Sequence, residues 1–127
     1  MSMIIRHVGI VVKDLESALE FWCETMGFQV FRKMDESGTH IDNMMCLNDV
    51  KVTTVKLGDV NGNLIELLNF TSHPDVKSWE GKPHSTGLTH IALTVSDIEG
   101  LYRSLRNNVL DFFAPPQESP DGLERKS

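Results

Sequence analysis

Apolar positions along this chain follow two rhythms in succession, a short alternating run and then a helical stripe, and the pair of rhythms occurs twice. Residues 4–13 read I-I-R-H-V-G-I-V-V-K. Alternate residues of a strand face opposite ways, so Val8, Ile10 and Val12 share one face and His7, Gly9 and Val11 the other. Asp14 follows as a helix cap, because its carboxylate can accept from the free N–H groups of a first turn. Leu15, Ala18, Leu19, Trp22 and Met26 then fall on one stripe of a helix over 14–26, which Gly27 ends. Residues 88–95 repeat the run as L-T-H-I-A-L-T-V, Asp97 repeats the cap, and Ile98, Leu101, Tyr102 and Leu105 repeat the stripe. The spacing is the same 83 positions for both landmarks, from 7 to 90 and from 14 to 97, which marks an internal duplication. In each copy the helix covers one face of its strand, Ile91, Leu93 and Val95 in the second, and leaves the histidine on the open face. His90 stands there beside Ala92 and Thr94, as His7 stands beside Gly9.

The intervening chain completes the first copy. Residues 28–34 predict a second strand, 35–49 a polar loop with at most a helical turn, and 50–57 a third strand. Asn61-Gly62-Asn63 is a hairpin turn, since Asn and Gly tolerate positive φ. The fourth strand, 63–70, contains Glu66 inside L-I-E-L-L, where a lone carboxylate is costly unless paired or bound to a metal. Met44 and Met45 read as gap-fillers of the core, with a ligand site as the alternative. Residues 71–86, with Pro74 and Pro83, read as a linker. The second copy has its strand, its helix and a strand at 110–114, and then A-P-P-Q-E-S-P-D-G-L-E-R-K-S, which matches nothing in the first. The expected fold class is α+β within one domain over 1–127. A βαβββ module (1–70) is joined by the linker to an incomplete βαβ module (87–127), the two forming a curved mixed sheet around a cup. The unfinished sheet edge predicts a homodimer, because proteins cover or pair such edges.

Composition narrows the partners. A chain of 127 residues with formal charge −6 and pI near 5.2 lacks the basic face that phosphate backbones require, so nucleic acid is excluded and a small molecule expected. No run reaches the roughly 18 apolar residues of a membrane span. The start M-S-M-I-I-R lacks the form of a signal peptide, which points to the cytoplasm. Cys23 and Cys46 read as reduced structural thiols. His40, His73 and His84 read as solvated loop residues.

Imidazole and carboxylate together suit Zn, Ni, Co or Fe(II), and two His with one carboxylate leave coordination positions open for catalysis. Taken singly, His7 and His90 read better as strand histidines with satisfied hydrogen bonds, and Glu66 as the partner of a Lys or Arg. All three at duplicated or buried strand positions favour the metal. The segments H-V-G-I-V-V-K-D-L, N-G-N-L-I-E-L-L and T-H-I-A-L-T-V-S-D-I, in that order, resemble the vicinal oxygen chelate superfamily, which includes glyoxalase I, methylmalonyl-CoA epimerase, extradiol dioxygenases and bleomycin-resistance proteins. That resemblance implies paired βαβββ modules and a divalent metal, with His7, Glu66 and His90 on three of four ligand positions. The fourth would fall near position 149, past the last residue of this chain, so the metal site is expected to be empty or only partly occupied. It also implies a glyoxalase-like lyase or isomerase that removes a proton next to a carbonyl and stabilises an enediolate. Glu66 would be ligand and base by turns, or the fourth ligand would be the base. An Fe(II) extradiol-type dioxygenase and a metal-free binding protein like the bleomycin-resistance members are the alternatives.

Overall fold

The structure, a computed structural model, describes residues 1–74, 77, 80–106 and 115–117. The chain divides into two compact units, Met1–Trp79 and Glu80–Ser127.

The first unit is an α+β arrangement built on an open mixed sheet of four strands, β1 (His7–Val11), β2 (Gln29–Ser37), β3 (Lys51–Gly58) and β4 (Leu64–Phe70), in the order β1-β4-β3-β2. β1 runs parallel to β4, and the other two pairs are antiparallel. The β3–β4 hairpin is closed by residues 59–63. Gly62 takes φ 80°, and the Asp59 carboxylate accepts from the Asn61 and Asn63 backbone N–H groups and the Asn63 amide. The Asn69 side chain donates to the carbonyls of Val12 (3.0 Å) and Lys13 (3.2 Å) and so fixes the exit of β1 against β4.

Asp14 caps α1 (Leu15–Leu19) as expected, accepting from the Ser17 N–H at 3.1 Å and the Ser17 hydroxyl at 2.8 Å. The helix does not continue as a regular stripe. Residues Glu20–Thr25 widen into a π-helix, with Met26 N–H donating to the Phe21 carbonyl, before Gly27 stops it at φ 80°. Five-residue spacing rotates the later side chains relative to an α-helix, so Cys23 and Phe28 join the packing where the sequence pattern expects Met26. Leu15, Ala18, Leu19 and Trp22 keep their predicted face and, with Ile10 and Val12 of the first strand, cover a core of Val55, Leu57, Ile65 and Leu67. Trp22 meets the Phe28 ring edge-on, centroids 5.1 Å apart.

The opposite face of the sheet has its own cover. Residues 35–49 are not a loop: β2 extends through Ser37, and α2 (Thr39–Met45) follows. Apolar residues at 41, 44 and 45 are spaced for a short helix, Cys46 ends it in the left-handed region at φ 54°, and Asp42 accepts from the Val50 N–H at 2.8 Å. Ile41 packs with Val50 and Val52, flanked by Met45, Leu68 and Phe70.

In the second unit, α3 (Ile98–Arg106) is capped by Asp97, which accepts from the Gly100 N–H at 3.0 Å, and Leu105 is buried. The expected strand over 88–95 is corrected: those residues are described and form no ladder. A strand exists through its hydrogen-bonded neighbour. In the first unit that neighbour of β1 is β4, and the described residues of the second unit supply no equivalent. The expected strand at 110–114 lies outside the described residues. Among the described residues no helix is long and apolar enough to cross a membrane.

Candidate functional site

The β1–β4 register sets Gly9 opposite Glu66 and His7 opposite Leu64. By strand parity Glu66 turns away from Ile65 and Leu67, which are buried beneath the helix, and so shares the open face with His7. A Cβ at Gly9 would press on Leu68 Cδ1 at 3.3 Å. His7 Nε2 stands 3.6 Å from Glu66 Oε1, the side chains 28% and 16% exposed. Both residues therefore lie where the alternation of their strands puts them.

This separation is too long for a hydrogen bond. It is near the roughly 3.0–3.4 Å between two ligands that each sit about 2.0–2.1 Å from a shared ion. Donor type and spacing thus fit a divalent metal. Donor number does not reach a full set, since no group of three or more His, Cys, Asp or Glu suited to a metal exists among the described residues. The buried His7 Nδ1 has no hydrogen-bond partner, whereas a ligating histidine ordinarily donates its second ring N–H. His90 belongs to the second unit, where it is exposed with Nδ1 2.9 Å from the Thr89 hydroxyl. His40, His73 and His84 are exposed.

In front of His7 and Glu66 is a cavity of about 250 Å³. Its wall continues across the open face through Thr54 and Lys56 of β3 and Arg32, Met34 and Glu36 of β2, and α2 closes it with Ile41, Met44 and Met45. The Thr54 hydroxyl donates to Glu36 Oε2 at 2.9 Å. Met44 and Met45 line the cavity, and Met45 also packs on the Ile41 cluster, so the two roles weighed for it coexist. The cations of the wall were not singled out in the sequence. A signal was there for Lys56, whose position has the parity that faces Glu66 across the hairpin. Burial pushes the Cys23 thiol pKa up, with the nearby Glu24 charge adding to it, and no disulfide links Cys23 and Cys46.

A model of the Glyoxalase/Bleomycin resistance protein/Dioxygenase superfamily matches residues 6–122. An uncharacterized protein of Bacillus subtilis strain 168, YwkD, is 26% identical over 110 residues, 84% of this chain and 73% of that one. A glyoxalase family protein from Bacillus cereus superposes with a TM-score of 0.73 at 22% identity, over 86% of this chain and 74% of that chain. The trypanothione-dependent glyoxalase I of Leishmania major superposes with a TM-score of 0.62 at 24% identity, over 98% and 84%.

Proposed function

From the premise that this chain belongs to the Glyoxalase/Bleomycin resistance protein/Dioxygenase superfamily, we propose that it is a glyoxalase-like, metal-dependent lyase or isomerase acting on a small carbonyl compound. The observation that carries the reading is the His7–Glu66 pair, 3.6 Å apart at the wall of a cavity. His7 and Glu66 would hold the metal, and a divalent ion there would supply Lewis-acid polarisation of a carbonyl oxygen.

The chain's own residues do the rest. Glu66 directs Oε1 toward His7, and its carboxylate accepts no hydrogen bond from the described residues, so it is free to receive a proton from the carbon next to the carbonyl. Its strand is pinned by Ile65 and Leu67 in the core, which fixes where that proton is taken. α2 and the methionines limit water on the same side. Working protein is a homodimer in this reading, which would cover the open edges of the sheet.

Calorimetric titration of Zn or Ni into the protein and into His7→Ala, Glu66→Ala and His90→Ala tests the ligand set. Weak binding by the parent, lost in His7→Ala and Glu66→Ala, is expected; loss in His90→Ala as well would add the third ligand that the resemblance implies, and binding that survives all three shows the ligands lie elsewhere. Glu66→Gln should slow exchange of the proton next to the carbonyl for deuterium by about 10²–10⁴-fold, followed by NMR on small carbonyl compounds. A second reading, a metal-free small-molecule binder, is favoured by the unpartnered His7 Nδ1. Small-molecule binding by a parent protein that takes no metal would support it.

A further inference from the structure

We propose that the cavity of the first unit contains an oxyanion subsite formed by Arg32 and Lys56 with Arg6, so that the small molecule it takes carries a carboxylate or phosphate group. The inference rests on reading this cavity as the substrate site, and it begins from a defect in β2.

The pairing of β2 with β3 steps from Val30 opposite Leu57 to Arg32 opposite Lys56, two residues against one. Regular pairing would have set Phe31 opposite Lys56 and Arg32 opposite Val55, which belongs to the core under the helix. The bulge therefore turns Arg32 onto the cavity face and leaves Phe31 72% exposed. Bulges commonly re-aim a side chain next to a site. Here the result is two cations directly opposite each other on adjacent strands, an arrangement that repels.

Among the described residues no ion pair neutralises either cation. Glu66, the other cross-strand neighbour of Lys56, has its carboxylate toward His7, and Glu36 accepts from Thr54. Neither Arg6, Arg32 nor Lys56 has a carboxylate oxygen within 4.0 Å among the described residues. The cavity wall thus carries three cations against two carboxylates, in a chain whose formal charge is −6. An interrupted ladder and a like-charge pair without an ion-pair partner meet on one wall. An anion with two or three oxygens would neutralise the pair and accept from the guanidinium fork and the ammonium together.

The test is calorimetric titration of metal-free protein, with chelator present and ionic strength held constant, using inorganic phosphate, pyruvate and uncharged hydroxyacetone. Both anions should bind more tightly than hydroxyacetone, and the tighter of the two identifies the oxyanion. Arg32→Gln and Lys56→Gln should each weaken anion binding about tenfold, the loss of one charge-assisted contact. Arg32→Gln should also melt higher than the parent in low-salt buffer without oxyanions, because one of the opposed charges is gone while Lys56 keeps Glu66 as its other cross-strand neighbour. Absence of anion binding, equal affinity for hydroxyacetone, or anion affinity unchanged in both variants overturns the proposal. Since no metal takes part, failure here leaves the metal reading standing, and failure of the Zn or Ni titration leaves this subsite standing.

Discussion

Replacing His7 with Leu should stabilise the metal-free protein while removing its ability to bind metal. Leu keeps much of the volume at position 7 and takes away both ring nitrogens. Nδ1 is buried with no partner, and a group left in that state costs about 1–3 kcal/mol, which the substitution recovers. Against this, the substitution separates Nε2 from Glu66 Oε1, a 3.6 Å contact between side chains 28% and 16% exposed. Such a pair contributes about 0–1 kcal/mol. The net change is centred on about 1.5 kcal/mol in favour of His7→Leu, or a rise in Tm of about 6–12 °C for a unit of this size. Thermal and denaturant unfolding with chelator present gives the first number, and Zn titration of the same samples gives the second. A variant destabilised by more than about 1 kcal/mol would refute the reasoning, because it would mean that His7 is held by bonds worth more than the buried, unpartnered nitrogen costs.

Two further outcomes follow from the fold. Asp59 is held below its ordinary pKa of 3.8, first by the Asn63 amide and then by the Asn63 N–H; a lowered folded pKa contributes stability that is complete above the unfolded value and lost as pH falls through the folded one. The difference in urea midpoint between the parent and Asp59→Ala should therefore be constant at neutral pH and shrink below pH 3.8, and a difference that grows on acidification contradicts this. Leu67 is fully buried at the centre of the β4 core, so Leu67→Ala should cost about 2–5 kcal/mol of a total near 5–15 kcal/mol. A denaturation curve showing less than about 1 kcal/mol would place Leu67 outside the cooperative core.

Much of the first unit was legible because its signals are local. Asp14 caps, Gly27 stops and Asn61-Gly62-Asn63 turns by virtue of their own backbone and side-chain chemistry, and two-residue parity was enough to place His7 and Glu66 on one face. The misses have non-local causes. The bulge before Arg32 depends on how two strands pair, so no reading of β2 alone would turn Arg32 toward Glu66. The π-helical turn likewise changes which residues face the core, bringing in Cys23 and displacing Met26. Residues 88–95 carry the same alternation as β1, yet alternation only sorts side chains between faces and does not provide the partner whose N–H and C=O groups make a ladder. Helix α2 was missed for a simpler reason: seven residues containing His, Asp, Asn and Thr show a weak periodic signal, and packing of Ile41 on Val50 and Val52 stabilises it.

Among the described residues β1 is hydrogen-bonded on one side only, to β4, with the Asn69 amide securing its exit. An edge strand fastened along a single border opens at lower free energy than the interior strands beside it. The gap between His7 and Glu66 is then governed by a local hinge-like equilibrium, separate from the unfolding of the core that anchors Glu66. Whatever occupies that gap closes the leaf by mass action, so occupancy and local order become one quantity, and the strand that presents His7 is held shut by what His7 captures.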